Sequence, residues 1–320
     1  MKIIFRCSYN YTFKYKDDTY NKKMLQEAWH MENYKVAIDI GGTAIKAAVL
    51  DEDLSFIDYH KVSTPDNINH LIVDTVYALV ERFQKEYNLN PLQVGISSAG
   101  VVDEENGIVV YTGPTIPNYN GTNFHHLLAP LNAQVQVFND VNAALLGELS
   151  LHQYEVDNIF CLTLGTGIGG AFYNDTLQLY NGERNRANEI GYLLYNAEEN
   201  KTFEQRASTS ALKSLMLSRA FPYEEDVPKL FELAEQGDTL ALSILNQWSQ
   251  AVAEGIAQIQ IIYDPGLILI GGGISSQDQQ LLKYITPKIE RFLPPQYGHA
   301  AIQTTRTQNH ASLFGAISKF

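Results

Sequence analysis

Apolar residues fall into two rhythms along the chain, and each marks a different kind of element. In "KVAIDIGGTAIKAAVLDEDLSFIDY" apolar positions alternate with small or polar ones on both sides of Gly41 and Gly42, the pattern of strand, tight turn and strand. The design returns in "NIFCLTLGTGIGGAFYNDTLQLYNGE", where a strand runs into Gly165, Thr166, Gly167, Gly169 and Gly170 and then into another strand. The stretch "VQVFNDVNAALLGELS" reads as a buried strand that stops at Asn139 and Asp140, with a helix beginning next. In "DPGLILIGGGIS" the continuous run "LILI" suits a central strand, and Gly271, Gly272 and Gly273 open the following loop. Ahead of it, "ALSILNQWSQAVAEGIAQIQIIY" repeats apolar residues at three and four, which predicts a long helix lying on a sheet. Two strand-turn-strand units, each followed by alternating helices and strands, predict a duplicated α/β architecture.

Composition narrows the chemistry. The chain has 320 residues, enough for two domains of ordinary size, and 45% hydrophobic residues with 22 glycines describe a globular soluble protein. No apolar run reaches the ~18 residues of a membrane span. The net charge of -13 comes without any block of Lys or Arg, so the electrostatic footprint of nucleic-acid binding is missing and small-molecule chemistry is expected. Cys7 and Cys161 are too few for a disulfide framework or a thiolate cluster, which suits a reducing cytoplasm. The opening "MKIIFRCSYNYTFKYKDDTYNKKMLQEAWH" is polar, aromatic and charged, and "IIF" is far too short for a signal-peptide core. Strand periodicity begins only at Tyr34. Met31 is therefore the expected natural start, and residues 1–33 an extension that is either poorly ordered or a start-site artefact; a regulatory arm is the competing reading.

The glycine turns are candidate anion sites. Asp39, Gly41, Gly42, Thr43 and Lys46 surround a hairpin that lacks the G-x-x-x-x-G-K-[ST] spacing of a Walker loop. Its bare backbone could still approach phosphate oxygens, with a nearby carboxylate holding Mg²⁺ directly or through water; the alternative is an ordinary hairpin. Gly165, Gly167 and Gly170 formally satisfy G-x-G-x-x-G, with Glu189 near the spacing of a ribose acid. That fingerprint needs a helix straight after the glycines, and "AFYNDTLQLY" instead holds a turn-forming Asn-Asp pair between strand-like runs. A dinucleotide fold is rejected on that context. What remains is two lobes pinching a polyphosphate with backbone dipoles. Asp140 has two readings of its own: a cap for the helix that follows, or a catalytic carboxylate.

Taken together, "DIGGTAIK", "NDVNAALLGE", "LTLGTGIGG", "LILIGGGIS" and the late "ASLFGAI" helix resemble the ROK sugar kinases, from about Tyr34 to the C-terminus. The resemblance implies the actin-like ATPase fold of sugar kinases, actin and the Hsp70 chaperones. It places a smaller α/β domain at 34–139 plus 303–320 and a larger one at 140–302, with a cleft between them. It implies Asp140 as general base, Asn139 on the sugar, and Asn118 and Gly100 shaping its pocket. Thr43, Thr166 and Gly167 are implied at the phosphates of ATP, with Gly41, Gly42, Lys46, Gly165, Gly271, Gly272 and Gly273 in the same nucleotide-binding motifs. Lys46 could equally be a solvated strand residue. Asp39 is implied to hold Mg²⁺ through water. A homodimer, without nucleic-acid or membrane partners, follows from the same resemblance.

The departures from the family pattern carry as much as the agreements. Most ROK proteins hold a structural zinc with a Glu-x-Gly-His motif and a cysteine-rich loop. Here Tyr192 stands where that His is expected, and no Cys or His occurs between Tyr192 and Arg219, so no zinc is expected. Glu189 and Glu204 remain, as acceptors for sugar hydroxyls or as solvated acids, while Tyr192 could bond the sugar or merely pack. Zinc-less members with "ANEIGYLLY" and "TFEQRAS" look most like bacterial N-acetylmannosamine kinases of sialic-acid breakdown. That implies 6-phosphorylation of N-acetyl-D-mannosamine, with a zinc-less glucokinase or β-glucoside kinase as the alternative. The family also contains sugar-responsive repressors, but the leader shows no paired amphipathic helices and no concentrated basic surface.

Overall fold

Strand β1 (Lys35–Ile40) is buried from Val36 to Ile40, as a strand covered on both faces must be. The computed structural model describes residues 33–113, 116–176 and 178–320; residues 1–32, and with them nearly all of the expected extension, lie outside the described residues. From β1 the chain turns at Gly41 and Gly42 into β2 (Ala44–Leu50), then into β3 (Phe56–Ser63). Helix α1 (Leu71–Glu86) follows, burying Ile72, Val76, Val80 and Phe83 along one stripe. Next come β4 (Gln93–Ser98), the short pair β5 (Val101–Asp103) and β6 (Ile108–Tyr111), α2 (Phe124–Leu128) and β7 (Gln134–Asn139). Helix α3 (Asp140–Leu151) leads to β8 (Asn158–Leu164), β9 (Ile168–Asn174) and β10 (Gln178–Leu179).

Four helices then cover the second sheet: α4 (Phe203–Ala207), α5 (Thr209–Ser218), α6 (Val227–Glu235) and α7 (Thr239–Tyr263). The chain continues through β11 (Leu267–Gly271), α8 (Asp278–Ile289), β12 (Ala301–Thr304) and α9 (Ala311–Ala316). None of the described helices is long and apolar enough to cross a membrane.

The expected duplication is present strand for strand. One sheet runs β3-β2-β1-β4-β7 and the other β10-β9-β8-β11-β12. In both, the first two pairings are antiparallel and the last two parallel. Each glycine turn joins the middle strand to its antiparallel neighbour, with Ile40 opposite Ile45 and Leu164 opposite Ile168. β9 is followed by a short third strand and no helix, in keeping with the rejection of a dinucleotide fold. The second sheet extends through β12 to Thr304, so the boundary expected at 302/303 falls inside a strand.

Two helices are fastened without side chains between them. A Cβ on Gly147 of α3 would lie 1.9 Å from the carbonyl oxygen of Ala311, and one on Gly315 of α9 would lie 1.7 Å from that of Ala143. On its other face α9 meets β4, where a Cβ on Gly95 would lie 2.1 Å from the Ala316 oxygen. The loop before α9 is held by Glu148, fully buried, which accepts from the N–H groups of Arg306 and Thr307 at 2.9 Å each. Such backbone approach leaves no room to relax. Gly315→Ala is expected to destabilise the protein by about 1–3 kcal/mol or more, whereas Gly273→Ala, where a Cβ meets nothing within 4 Å, should stay within ~0.5 kcal/mol. Equal urea midpoints for the two variants would overturn this account of the crossing.

Candidate active site

The two glycine turns face a common cleft of about 510 Å³. Its walls include Asp39, Gly41, Gly42, Thr43 and Lys46 from the first turn, and Gly165, Thr166, Gly167, Ile168, Gly169 and Gly170 from the second. Gly100, Asn139, Asp140, Glu189, Glu204 and Gly272 complete most of it. Each turn is braced from outside. Thr64 Oγ1 donates to the Gly41 oxygen at 2.6 Å, and Thr209 N at the start of α5 donates to the Gly165 oxygen at 2.9 Å. Gly167 has a specific reason to be glycine, since a Cβ there would lie 2.4 Å from Glu204 Oε2.

Asp140 occupies the first turn of α3, but it is not the cap. Asn139 is the N-cap residue: its Oδ1 accepts from Val141 N at 2.9 Å and Asn142 N at 3.1 Å. Asn139 Nδ2 donates to the Gly100 oxygen at 2.8 Å and to Asp140 Oδ1 at 3.0 Å. With two bonds accepted and two donated, this amide is saturated within the protein. The structure thus separates two roles that the sequence placed on one residue: Asn139 caps, and the Asp140 carboxylate is left facing the cleft. Burial pushes the Asp140 carboxyl up, the negative charge of Asp39 adds to it, the Val141 N–H bond works against it, and Glu189 adds more; the result is about 7. A carboxyl poised there can exchange a proton near neutrality.

Asp39, at the end of β1, accepts from Ser97 Oγ at 2.8 Å on Oδ1 and from Lys46 Nζ at 2.9 Å on Oδ2. Lys46 also donates to the Asn309 oxygen at 3.2 Å. It is therefore an ion-paired residue rather than a solvated one. Glu204 lies in α4, and its Oε2 accepts from Ile168 N at 2.9 Å. Glu189 sits beside it, its carboxyl raised by burial and then by the charge of Glu204.

Not every expected residue lines this cleft. Asn118 has a left-handed backbone (φ 53) and donates its amide to the Ile68 oxygen at 2.9 Å. Tyr192 is 60% exposed, outside the lining residues. Gly271 ends β11 against the side chains of Thr163 and Thr305. Gly273 lines a second cavity of about 410 Å³, which shares Gly165 and Thr166 with the cleft and runs between Val227 and Ile274, with the Lys213–Glu225 ion pair at 3.2 Å on its wall. The loop after Tyr192 is closed by backbone bonds between Asn196 and Lys201 and by Arg206, which reaches the Leu194 oxygen and Glu254 Oε2 at 2.8 Å each. Among the described residues no group of three or more His, Cys, Asp or Glu is placed to hold a metal ion. Ser97 and Arg206 escaped sequence reasoning because Asp39 and Glu254, their partners, are distant in the chain; no motif marks Lys213 or Glu225.

The profile of the ROK family matches residues 35–319. A β-glucoside kinase of Listeria monocytogenes is 28% identical over 297 residues, covering 89% of this chain and 96% of the relative. Among solved structures, a ROK family glucokinase of Streptomyces griseus in complex with glucose and AMPPNP superposes with a TM-score of 0.76 at 27% identity, covering 89% of this chain and 98% of that one. A Listeria monocytogenes protein whose proposed activity is N-acetylmannosamine kinase superposes equally, with a TM-score of 0.76 at 25% identity, covering 89% and 97%.

The raised carboxyl has a sign that stability measurements can read. Folded Asp140 keeps its proton from the ordinary value of 3.8 up to about 7, where the unfolded chain has released it, so its contribution to stability is lost as pH rises through that window. Asp140→Asn is expected to melt higher than the wild type at pH 8, with the gap closing toward pH 4. A pH-independent gap would show that the carboxyl is not perturbed.

Proposed function

The chain belongs to the ROK family of sugar kinases, and from that premise we propose that it transfers the γ-phosphoryl group of ATP to the 6-hydroxyl of N-acetyl-D-mannosamine. The observation that supports this most is Asp140: a half-buried carboxyl pushed up to about 7, at a helix start, in a cleft shared with two bare glycine turns. Asp140 accepts the proton of the 6-hydroxyl as that oxygen attacks, a step that a positioned base typically accelerates ~10²–10⁴-fold. The remaining acceleration comes from alignment and from neutralising phosphoryl charge.

The protein's own groups divide that work. Asn139 fixes the start of α3 and presents the Asp140 carboxylate. Glu189 and Glu204, acceptors only when ionised, take hydrogen bonds from ring hydroxyls. The N–H groups around Gly42, Thr43, Thr166 and Gly167 approach the phosphates, and the cavity between Val227 and Ile274 receives the rest of the nucleotide. Asp39, an oxygen donor beside Asp140, fits a hard cation that keeps several waters; Mg²⁺ held there through water would neutralise charge on the transferring group. Lys46, paired to Asp39, shares that neutralisation.

A second reading, phosphorylation of glucose or a β-glucoside, is favoured by the glucokinase and β-glucoside kinase likenesses. The hydroxyl-binding carboxylates suit either sugar, so only the shape of the pocket around the second carbon separates them. The homodimer belongs to the same reading, and sedimentation equilibrium of the purified protein tests it.

ADP release with Mg-ATP and N-acetylmannosamine, N-acetylglucosamine, glucose or a β-glucoside decides the substrate. Preferential turnover of N-acetylmannosamine is expected; preference for another sugar overturns the substrate and keeps the base. With the preferred sugar, Asp140→Asn should lower kcat by ~10²–10⁴-fold while the sugar KM stays within a few-fold. Since the base must be deprotonated, kcat/KM for the sugar should rise with pH and level off above about 7. Glu204→Gln should weaken sugar binding far more than ATP binding, and equal losses would argue against a direct sugar contact.

A further inference from the structure

Glu104 belongs to none of the motifs, yet it closes a bridge across the cleft. It opens the turn between β5 and β6 and is partly buried. Its partner is Asn142, in the first turn of α3 and only 7% exposed. Asn142 spends both amide protons: Nδ2 donates to Glu104 Oε1 at 2.9 Å and to Asn181 Oδ1 at 2.8 Å. Asn181 lies beyond β10, and its carbonyl accepts from Ala187 N at 3.0 Å, closing the loop that leads into Glu189. Asn142, Asn181 and Ala187 all line the cleft. Two residues before Asn142 stands Asp140, and Asn139 ties the same helix start to the Gly100 oxygen. The Glu104 carboxylate is thus connected, through the shared Asn142 amide and a bond from Asn181, to the segments that carry the base and the sugar-facing Glu189.

A solvated turn glutamate could be removed without consequence. Glu104 differs, because burial pushes its carboxyl up while the Asn142 bond, the charge of Lys319 and a bond from Asn181 hold it down, and removing it leaves a buried amide proton without an acceptor, a loss that costs more than the bond's net worth. We propose that Glu104 is a positioning residue for the phosphoryl transfer, acting through Asn142 to keep Asp140 and Glu189 in register with one sugar. The assignment rests on the reading that the sugar lies between those two carboxylates. It concerns geometry: Glu104 touches neither the sugar nor the phosphates.

The experiment is steady-state kinetics with Mg-ATP and the best sugar of the panel, for the wild type and for Glu104→Ala, Glu104→Gln, Asn181→Ala and the double variant Glu104→Ala/Asn181→Ala. Glu104→Ala is expected to lower kcat/KM for the sugar roughly tenfold, the size of one buried bond left unmade, with the KM for ATP within about twofold. Glu104→Gln keeps an oxygen for Asn142 and should recover most of the loss. Because both partners share Asn142, the double variant should lose less than the product of the single losses. Melting temperatures accompany each variant, and if Glu104→Ala fails to fold, Glu104→Gln and Asn181→Ala carry the comparison. Near-wild-type kinetics in Asn181→Ala and Glu104→Ala, no rescue by Gln, or equal losses toward sugar and ATP would each overturn the assignment. A wild type idle with every sugar would overturn the functional reading and this assignment together, whereas an active wild type matched by Glu104→Ala overturns this assignment alone.

Discussion

Everything in the cleft hangs from the crossing of α3 and α9. Because Gly147 and Gly315 bring backbone against backbone, the axis of α3 is set by main-chain atoms, which have no rotamers to choose among. The start of α3 carries Asn139 as its cap and Asp140 and Asn142 in its first turn. Their positions relative to β1, β4 and the first glycine turn follow from how α9 is wedged between α3 and Gly95 of β4. The buried Glu148 secures the approach to that wedge by satisfying two backbone N–H groups of the chain leading into α9. The proposed role of Asp140 needs placement to within fractions of an ångström, and helices packed without intervening side chains can supply it.

The same cleft gathers negative charge. Asp39, Asp140, Glu189 and Glu204 line one cavity, and Lys46 is paired with Asp39. Burial and then their mutual repulsion raise Asp140 and Glu189, which costs folding stability and leaves the Asp140 carboxyl poised near neutrality. A polyphosphate entering this space brings more negative charge, so cations and backbone N–H groups must accompany it. The two bare glycine turns answer that need with dipoles that cannot titrate. Two kinds of electrostatic group therefore share the cleft: titratable carboxylates and the main-chain amides of the glycine turns.

Much of this was legible in the sequence, for definable reasons. Period-two alternation around Gly41–Gly42 and Gly165–Gly170 announced both hairpins, and the stop of an apolar strand at Asn139 announced the start of α3. The order of cap and base there was not legible, because Asn and Asp are about equally good N-caps and only the geometry shows Asn139 taking that place. Asn118 and Tyr192 sit in motif positions, yet the left-handed backbone of one and the exposure of the other are properties of loops that no periodicity encodes. The overrun of β12 past the expected boundary reflects a four-residue edge strand with alternating exposure, too short to mark its own end. Ser97, Arg206 and Glu104 have partners 58, 48 and 38 residues away, beyond the reach of local pattern.

The return of α9 to the first sheet has a temporal consequence. On the ribosome, β1 to β4, β7 and α3 are complete long before residues 311–316 exist, and until then Gly95 and Gly147 face an unfilled slot. The second sheet, whose strands lie between Asn158 and Thr304, can close before residues 311–316 are made; the first half cannot. The surroundings of Asp140 therefore wait for α9. A chain lacking residues 311–316 would keep Asp140 and lose the wedge against Gly147 and Gly95, so the packing of the first sheet is coupled to a helix made far later in the chain.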